Sequence, residues 1–69
     1  MPVSMLAPGE EGVIRRISGK DEVRAHLAEL GFVAGATVKA ISAIGGNLIL
    51  QVKDSRVALD REMANRIFV

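Results

Sequence analysis

Turn-forming residues punctuate this chain at intervals of about 8–12 residues, the spacing of a small all-β domain. They are Pro8-Gly9, Ser18-Gly19, Gly31 with Gly35, Gly45-Gly46-Asn47 and Lys53-Asp54-Ser55. Most of the segments between them are short and rich in β-branched residues. Val13 to Ile17 reads as a first strand, Thr37 to Ile44 as a second and Leu48 to Val52 as a third. Arg56 to Leu59 and Arg66 to Val69 read as the last two. About five strands with such tight connections suggest an antiparallel barrel or sandwich. The second and third strands are too apolar for one-sided burial, so both faces are expected to be covered, one of them by a helix.

That helix spans Asp21 to Leu30. Val23, Leu27 and Leu30 recur at i, i+4 and i+7 and form one apolar stripe. Asp21 is a candidate cap, with Ser18 or Lys20 as slightly earlier starts. At its other end the sequence Leu30-Gly31-Phe32-Val33-Ala34-Gly35 marks a corner. Gly31 suits the C′ position, where φ must be positive, and Phe32 at C″ would pack back on Leu27. Val33-Ala34-Gly35 suits a type II turn with glycine third. Two shorter helical turns are expected, one at Ser4 to Ala7 with Ser4 as its cap and one at Arg61 to Ala64 capped by Asp60.

Sixty-nine residues make one domain, residues 1–69. A chain this short has a marginal core, and with no cysteine it cannot add disulfides or a zinc ribbon. An apolar content of 49% compensates. No apolar run reaches the ~20 residues of a membrane helix, and the first residues lack the basic and apolar regions of a signal peptide. The expectation is a small soluble intracellular domain.

Residues 6 to 69 resemble the FeoA family, ferrous iron transport protein A. The matching pieces are Leu6-Ala7-Pro8-Gly9-Glu10-Glu11-Gly12, then Arg24 with Leu27 to Phe32, then Gly35-Ala36-Thr37-Val38. Arg56-Val57-Ala58-Leu59, Ala64 and Ile67-Phe68-Val69 complete the match. Ala34 departs from it, standing where the family often has proline. The resemblance implies a mainly β fold, an SH3-like antiparallel barrel of about five strands with one α-helix and a short helical turn. It also implies a non-enzymatic accessory role in ferrous iron transport. The partner would be the cytosolic GTP-binding part of a FeoB-type membrane transporter. The protein would be cytoplasmic and recruited to the inner face of the membrane by that partner.

The residues themselves exclude some chemistry and leave other options open. There is one histidine, no cysteine and no phosphate-binding Gly-x-x-x-x-Gly-Lys-Ser/Thr motif, so neither a catalytic triad nor nucleotide hydrolysis is indicated. Glu22, His26 and Glu29 share a helix face at i, i+4 and i+7 and could hold Fe(II) or Zn weakly. The simpler reading of that face is a solvated flank, and no cofactor is expected. Arg15, Arg16, Lys20, Arg24 and Lys39 could form a basic patch for nucleic acid, the alternative function. Against it stand a net charge of +1 and only two aromatic residues, Phe32 and Phe68. A protein-binding surface is left, and the corner Gly31, Phe32, Val33, Ala34 and Gly35 is its candidate. Its apolar tip could serve a partner or self-association.

Overall fold

A computed structural model describes residues 1–69. Six strands and two helices follow one another: β1 (Glu11–Val13), β2 (Arg16–Ile17), α1 (Asp21–Glu29), β3 (Thr37–Ile44), β4 (Asn47–Val52), β5 (Ser55–Asp60), α2 (Arg61–Ala64) and β6 (Ile67–Phe68). A 3₁₀ turn at Val3–Met5 precedes them. The ladders form two open antiparallel sheets, a four-stranded one in the order β1-β3-β4-β5 and a two-stranded β2-β6 pair. The expected ring of about five strands is therefore six strands in two sheets.

The difference begins at Ile14. The expected first strand, Val13 to Ile17, is broken there, because its backbone changes partners. Val13 pairs with Thr37 in the large sheet. Ile14 exchanges hydrogen bonds with the corner instead, its N–H donating to Ala36 O and its carbonyl accepting from Gly35 N–H, both at 2.8 Å. Arg15 N–H then donates to Phe68 O at 2.7 Å, and Arg16 pairs with Phe68 in the small sheet. The Ile14 side chain is buried, so it pins this crossing point to the core.

Burial in the large sheet is more one-sided than the apolar runs suggest. Val38 and Ala40 on β3, Leu48, Leu50 and Val52 on β4 and Leu59 on β5 are buried and alternate with more exposed neighbours. A register shift between Ala40 and Ser42 interrupts the β3–β4 ladder at Ile41 and bends β3. Beyond it Ile44 is two-thirds exposed, at 66%. The two hairpins turn over Gly45-Gly46 and Lys53-Asp54, each with a positive φ at its first turn residue.

The helices start a little differently from expectation. Lys20 is the N-cap of α1 and makes no side-chain cap bond, while Asp21 is the first helical residue and bonds Arg24. The first helical turn lies at Val3–Met5, and Ser4 does not cap it but bonds the Asn65 side chain. Asp60 does cap α2, accepting from Met63 N–H at 2.8 Å. Leu27 is fully buried, with Val23 and Leu30 half-buried against the same core, so the apolar stripe of α1 faces inward as its period requires.

Candidate functional site

The end of α1 is a complete Schellman motif. Leu30 is the C-cap and Gly31 has φ +106°. Gly31 N–H donates to Ala28 O and Phe32 N–H to Leu27 O, both at 3.0 Å. These bonds satisfy two carbonyls the helix would otherwise leave open. They also turn Phe32 inward, where it and Leu27 are fully buried. Burial of each such side chain contributes roughly 1.5–3 kcal/mol. The type II turn follows, closed by Ala36 N–H to Val33 O at 3.1 Å, with Gly35 at φ +91°.

This geometry divides the five corner residues. Phe32 belongs to the core and Gly31 is half-buried, so both serve the corner from within. Val33, Ala34 and Gly35 are exposed, and Val33 shows 39% of its surface to solvent. The tip is held in place by the paired bonds to Ile14.

Those bonds bring the corner beside Arg15 and Arg16, and between them and α1 lies a shallow groove of about 560 Å³. Its apolar lining comes from Ile17, Ala25, Ala28, Val33 and Ala34, with Phe32 beneath. Its polar lining is Arg15, Arg16, Arg24 and Asp21, three cations against one carboxylate. The cations differ in their commitments. Arg24 pairs with Asp21 one helical turn earlier. Arg16 lies over the Phe68 ring, 4.2 Å from its centroid. Arg15 is exposed and makes no ion pair. The arrangement offers a small apolar floor with one uncommitted guanidinium at its rim, suited to a side chain or helix of a partner that brings carboxylates.

The basic residues do not all join this surface. Lys39 lines a different, polar groove of about 430 Å³ with Glu11, Thr37, Gln51 and Lys53. The expected nucleic-acid patch is thus divided between two places. Phe32 is buried and Phe68 is covered by Arg16, so neither offers an open stacking face. Glu22, His26 and Glu29 are all exposed on α1. No group of three or more His, Cys, Asp or Glu side chains gathers closely enough to hold a metal ion. No helix is long and apolar enough to cross a membrane.

Sequence reading found the tip and the arginines as separate features and missed Ala25 and Ala28. Those two alanines are three apart on α1 and exposed, and that spacing was the available signal.

The FeoA domain family matches the whole chain, residues 1–69. The chain belongs to the FeoA family. It is 32% identical over 71 residues to an Fe(2+) transport protein A/Fe(2+) transporter FeoB fusion protein of Porphyromonas gingivalis. That match covers 100% of this chain but only 8% of the fusion protein's length. It is 28% identical over 68 residues to a candidate Fe(2+) transport protein A of Methanocaldococcus jannaschii, covering 99% of this chain and 83% of that one. Among solved structures, FeoA of Stenotrophomonas maltophilia in complex with zinc superposes with a TM-score of 0.87 at 30% identity. It is covered to 87%, and this chain to 99%, and it is described as an SH3 domain protein. Together these place the chain in a family of ferrous iron transport with an SH3-like fold, which is not a known enzyme family.

Proposed function

We infer that this FeoA domain is an accessory protein of ferrous iron uptake that docks on the cytosolic GTP-binding part of a FeoB-type transporter and modulates it. The observation that carries the reading is the fusion in P. gingivalis, where a relative of this whole chain is joined to such a transporter. A covalent link raises the effective concentration of two modules that work together. Docking from a separate chain needs a surface that does the same work by affinity. The groove beside the corner supports that role, with its apolar floor, its free Arg15 and its rigid attachment through Ile14. A protein with this role acts in the cytoplasm, at the inner face of the membrane that holds its partner.

Calorimetric titration of the intact protein into the transporter's GTP-binding domain tests the reading. Two variants target the groove without touching the core. Arg15→Glu reverses the uncommitted charge. Ala28→Trp fills the apolar floor from an exposed helix position. Each is expected to weaken binding at least tenfold, a loss of about 1.4 kcal/mol. Absence of binding by the wild type removes the partner, and unchanged affinity in both variants removes the site.

A further inference from the structure

The large sheet ends in an open edge at β5. One side of this strand is paired with β4 over all six residues, with no register break. The two-residue turn Lys53-Asp54 makes Val52 and Ser55 the first hydrogen-bonded pair. Alternation then directs the backbone groups of Ser55, Val57 and Leu59 to β4 and those of Arg56, Ala58 and Asp60 outward. No turn, loop or cap bond reaches Arg56 or Ala58. Edges of this kind are commonly blunted by proline, a bulge, an edge lysine or shortness. β5 has no proline, bulge or lysine within its span and is six residues long, whereas the opposite edge, β1, has only three; the charges β5 does carry, Arg56 and Asp60, are of opposite sign.

The side chains on this edge are self-complementary. Arg56-Val57-Ala58-Leu59-Asp60 has opposite charges equidistant from Ala58. Arg56, Ala58 and Asp60 lie exposed on one face, with Val57 half-buried and Leu59 buried on the other. Arg56 makes no ion pair within its own chain. Asp60 uses Oδ1 for the α2 cap and has its second oxygen free.

We propose that two copies of this chain pair antiparallel through β5 about a twofold axis at Ala58, joining two four-stranded sheets into one. In that register Ala58 faces the partner's Ala58, and each donates its N–H to the other's carbonyl. Arg56 faces the partner's Asp60 on the exposed face, and Val57 faces the partner's Leu59 on the core side. All three outward-pointing backbones meet outward-pointing backbones, as an antiparallel ladder requires. The two neighbouring registers are worse. A slip of two residues in one direction sets Arg56 against the partner's Ala58, and Asp60 runs past the end of the partner's strand, so both Arg56–Asp60 pairs are lost. A slip in the other direction leaves only Ala58 to Asp60 to pair, because α2 starts at Arg61. The interface is separate from the corner groove, and its test does not involve a transporter.

Sedimentation equilibrium and a cysteine trap test the pairing together. The wild type is expected to show a monomer–dimer equilibrium at concentrations up to about 1 mM, the Kd of an interface worth roughly 4 kcal/mol. Arg56→Asp places Asp against the partner's Asp60 and is expected to weaken it at least about tenfold. Asp60→Asn keeps a good helix cap and is expected to weaken it too, with the monomer still folded by circular dichroism. The chain has no cysteine, so any disulfide in Ala58→Cys joins two copies. Directly opposed residues of a hydrogen-bonded pair have Cα atoms about 5.5 Å apart, within disulfide range. Ala58→Cys is expected to cross-link on mild oxidation well ahead of the exposed helix variant Ala25→Cys. A strictly monomeric wild type at 1 mM, a dimer that persists unchanged in Arg56→Asp, or equal cross-linking of the two cysteine variants overturns the proposal.

Discussion

Substitution of Gly31 by alanine tests whether the helix-ending corner is built as described. At φ +106° an L-residue is strained whatever the space around it. The added Cβ would also lie 3.3 Å from Val52 Cγ1 and 3.7 Å from Cγ2. Val52 is buried to 1% exposure, so it has little room to give. Gly35 separates the two contributions, since its φ is +91° but a Cβ there meets nothing within 4 Å. Gly46 has neither a positive φ nor a neighbour and acts as the control. The backbone contribution alone is about 1–2 kcal/mol, which is the cost expected for Gly35→Ala. Gly31→Ala adds an overpacking cost and is expected to lose about 2–3 kcal/mol. Gly46→Ala is expected to be neutral or to stabilise by less than about 1 kcal/mol, by restricting the unfolded chain. In a domain of this size 1 kcal/mol moves Tm by roughly 4–8 °C. Far-UV circular dichroism during thermal and urea unfolding reads all three variants, since the chain has no tryptophan. A Gly31→Ala no costlier than Gly46→Ala would refute the helix-stop reasoning. A Gly31→Ala equal to Gly35→Ala would show that Val52 yields at no cost.

Three further outcomes follow from the same structure. Asp60→Ala removes the only side-chain cap of α2 and is expected to cost about 1 kcal/mol in urea unfolding, with Asp60→Asn close to wild type. His26→Ala is expected to leave the Tm in the presence of Zn(II) the same as that of wild type, because Glu22, His26 and Glu29 form no gathered ligand set; a zinc-dependent rise in the wild type lost in the variant would restore the metal reading. Arg16→Ala uncovers the half-buried Phe68 ring and is expected to cost about 0.5–1 kcal/mol, read as a lower urea midpoint.

What the sequence disclosed was mostly local. Leu27, Gly31 and Phe32 lie within six residues of one another, and the Schellman geometry depends on little else. The same holds for the Asp60 cap and for the two-residue hairpins. The break at Ile14 was hidden because its cause is remote: its partners are Gly35 and Ala36, and the next residue turns to Phe68. Hydrophobic patterning cannot distinguish one five-residue strand from two short ones that change sheets when the buried residue sits at the crossing. The bulge at Ile41 was hidden likewise, because the mostly apolar stretch from Val38 to Ile44, broken only by Lys39 and Ser42, carries no local sign of a register shift. The candidate site shows the same division. Val33 and Ala34 were readable as a tip on their own turn, whereas their position opposite Arg15, Ala25 and Ala28 is a product of packing. Glu22, His26 and Glu29 share one exposed helix face as their spacing requires, and whether another element lies near enough to add a ligand is likewise set by packing rather than by local sequence.

We propose that this FeoA domain meets its transporter through the groove between the corner, Arg15 and α1. Amide chemical-shift mapping of the labelled protein, titrated with the GTP-binding domain of a FeoB-type transporter, tests it most directly. Perturbations are expected to concentrate at Arg15 to Ile17, Ala25, Ala28 and Val33 to Gly35, with β5 unaffected. Perturbations confined to other surfaces, or none at saturating concentration, would contradict it.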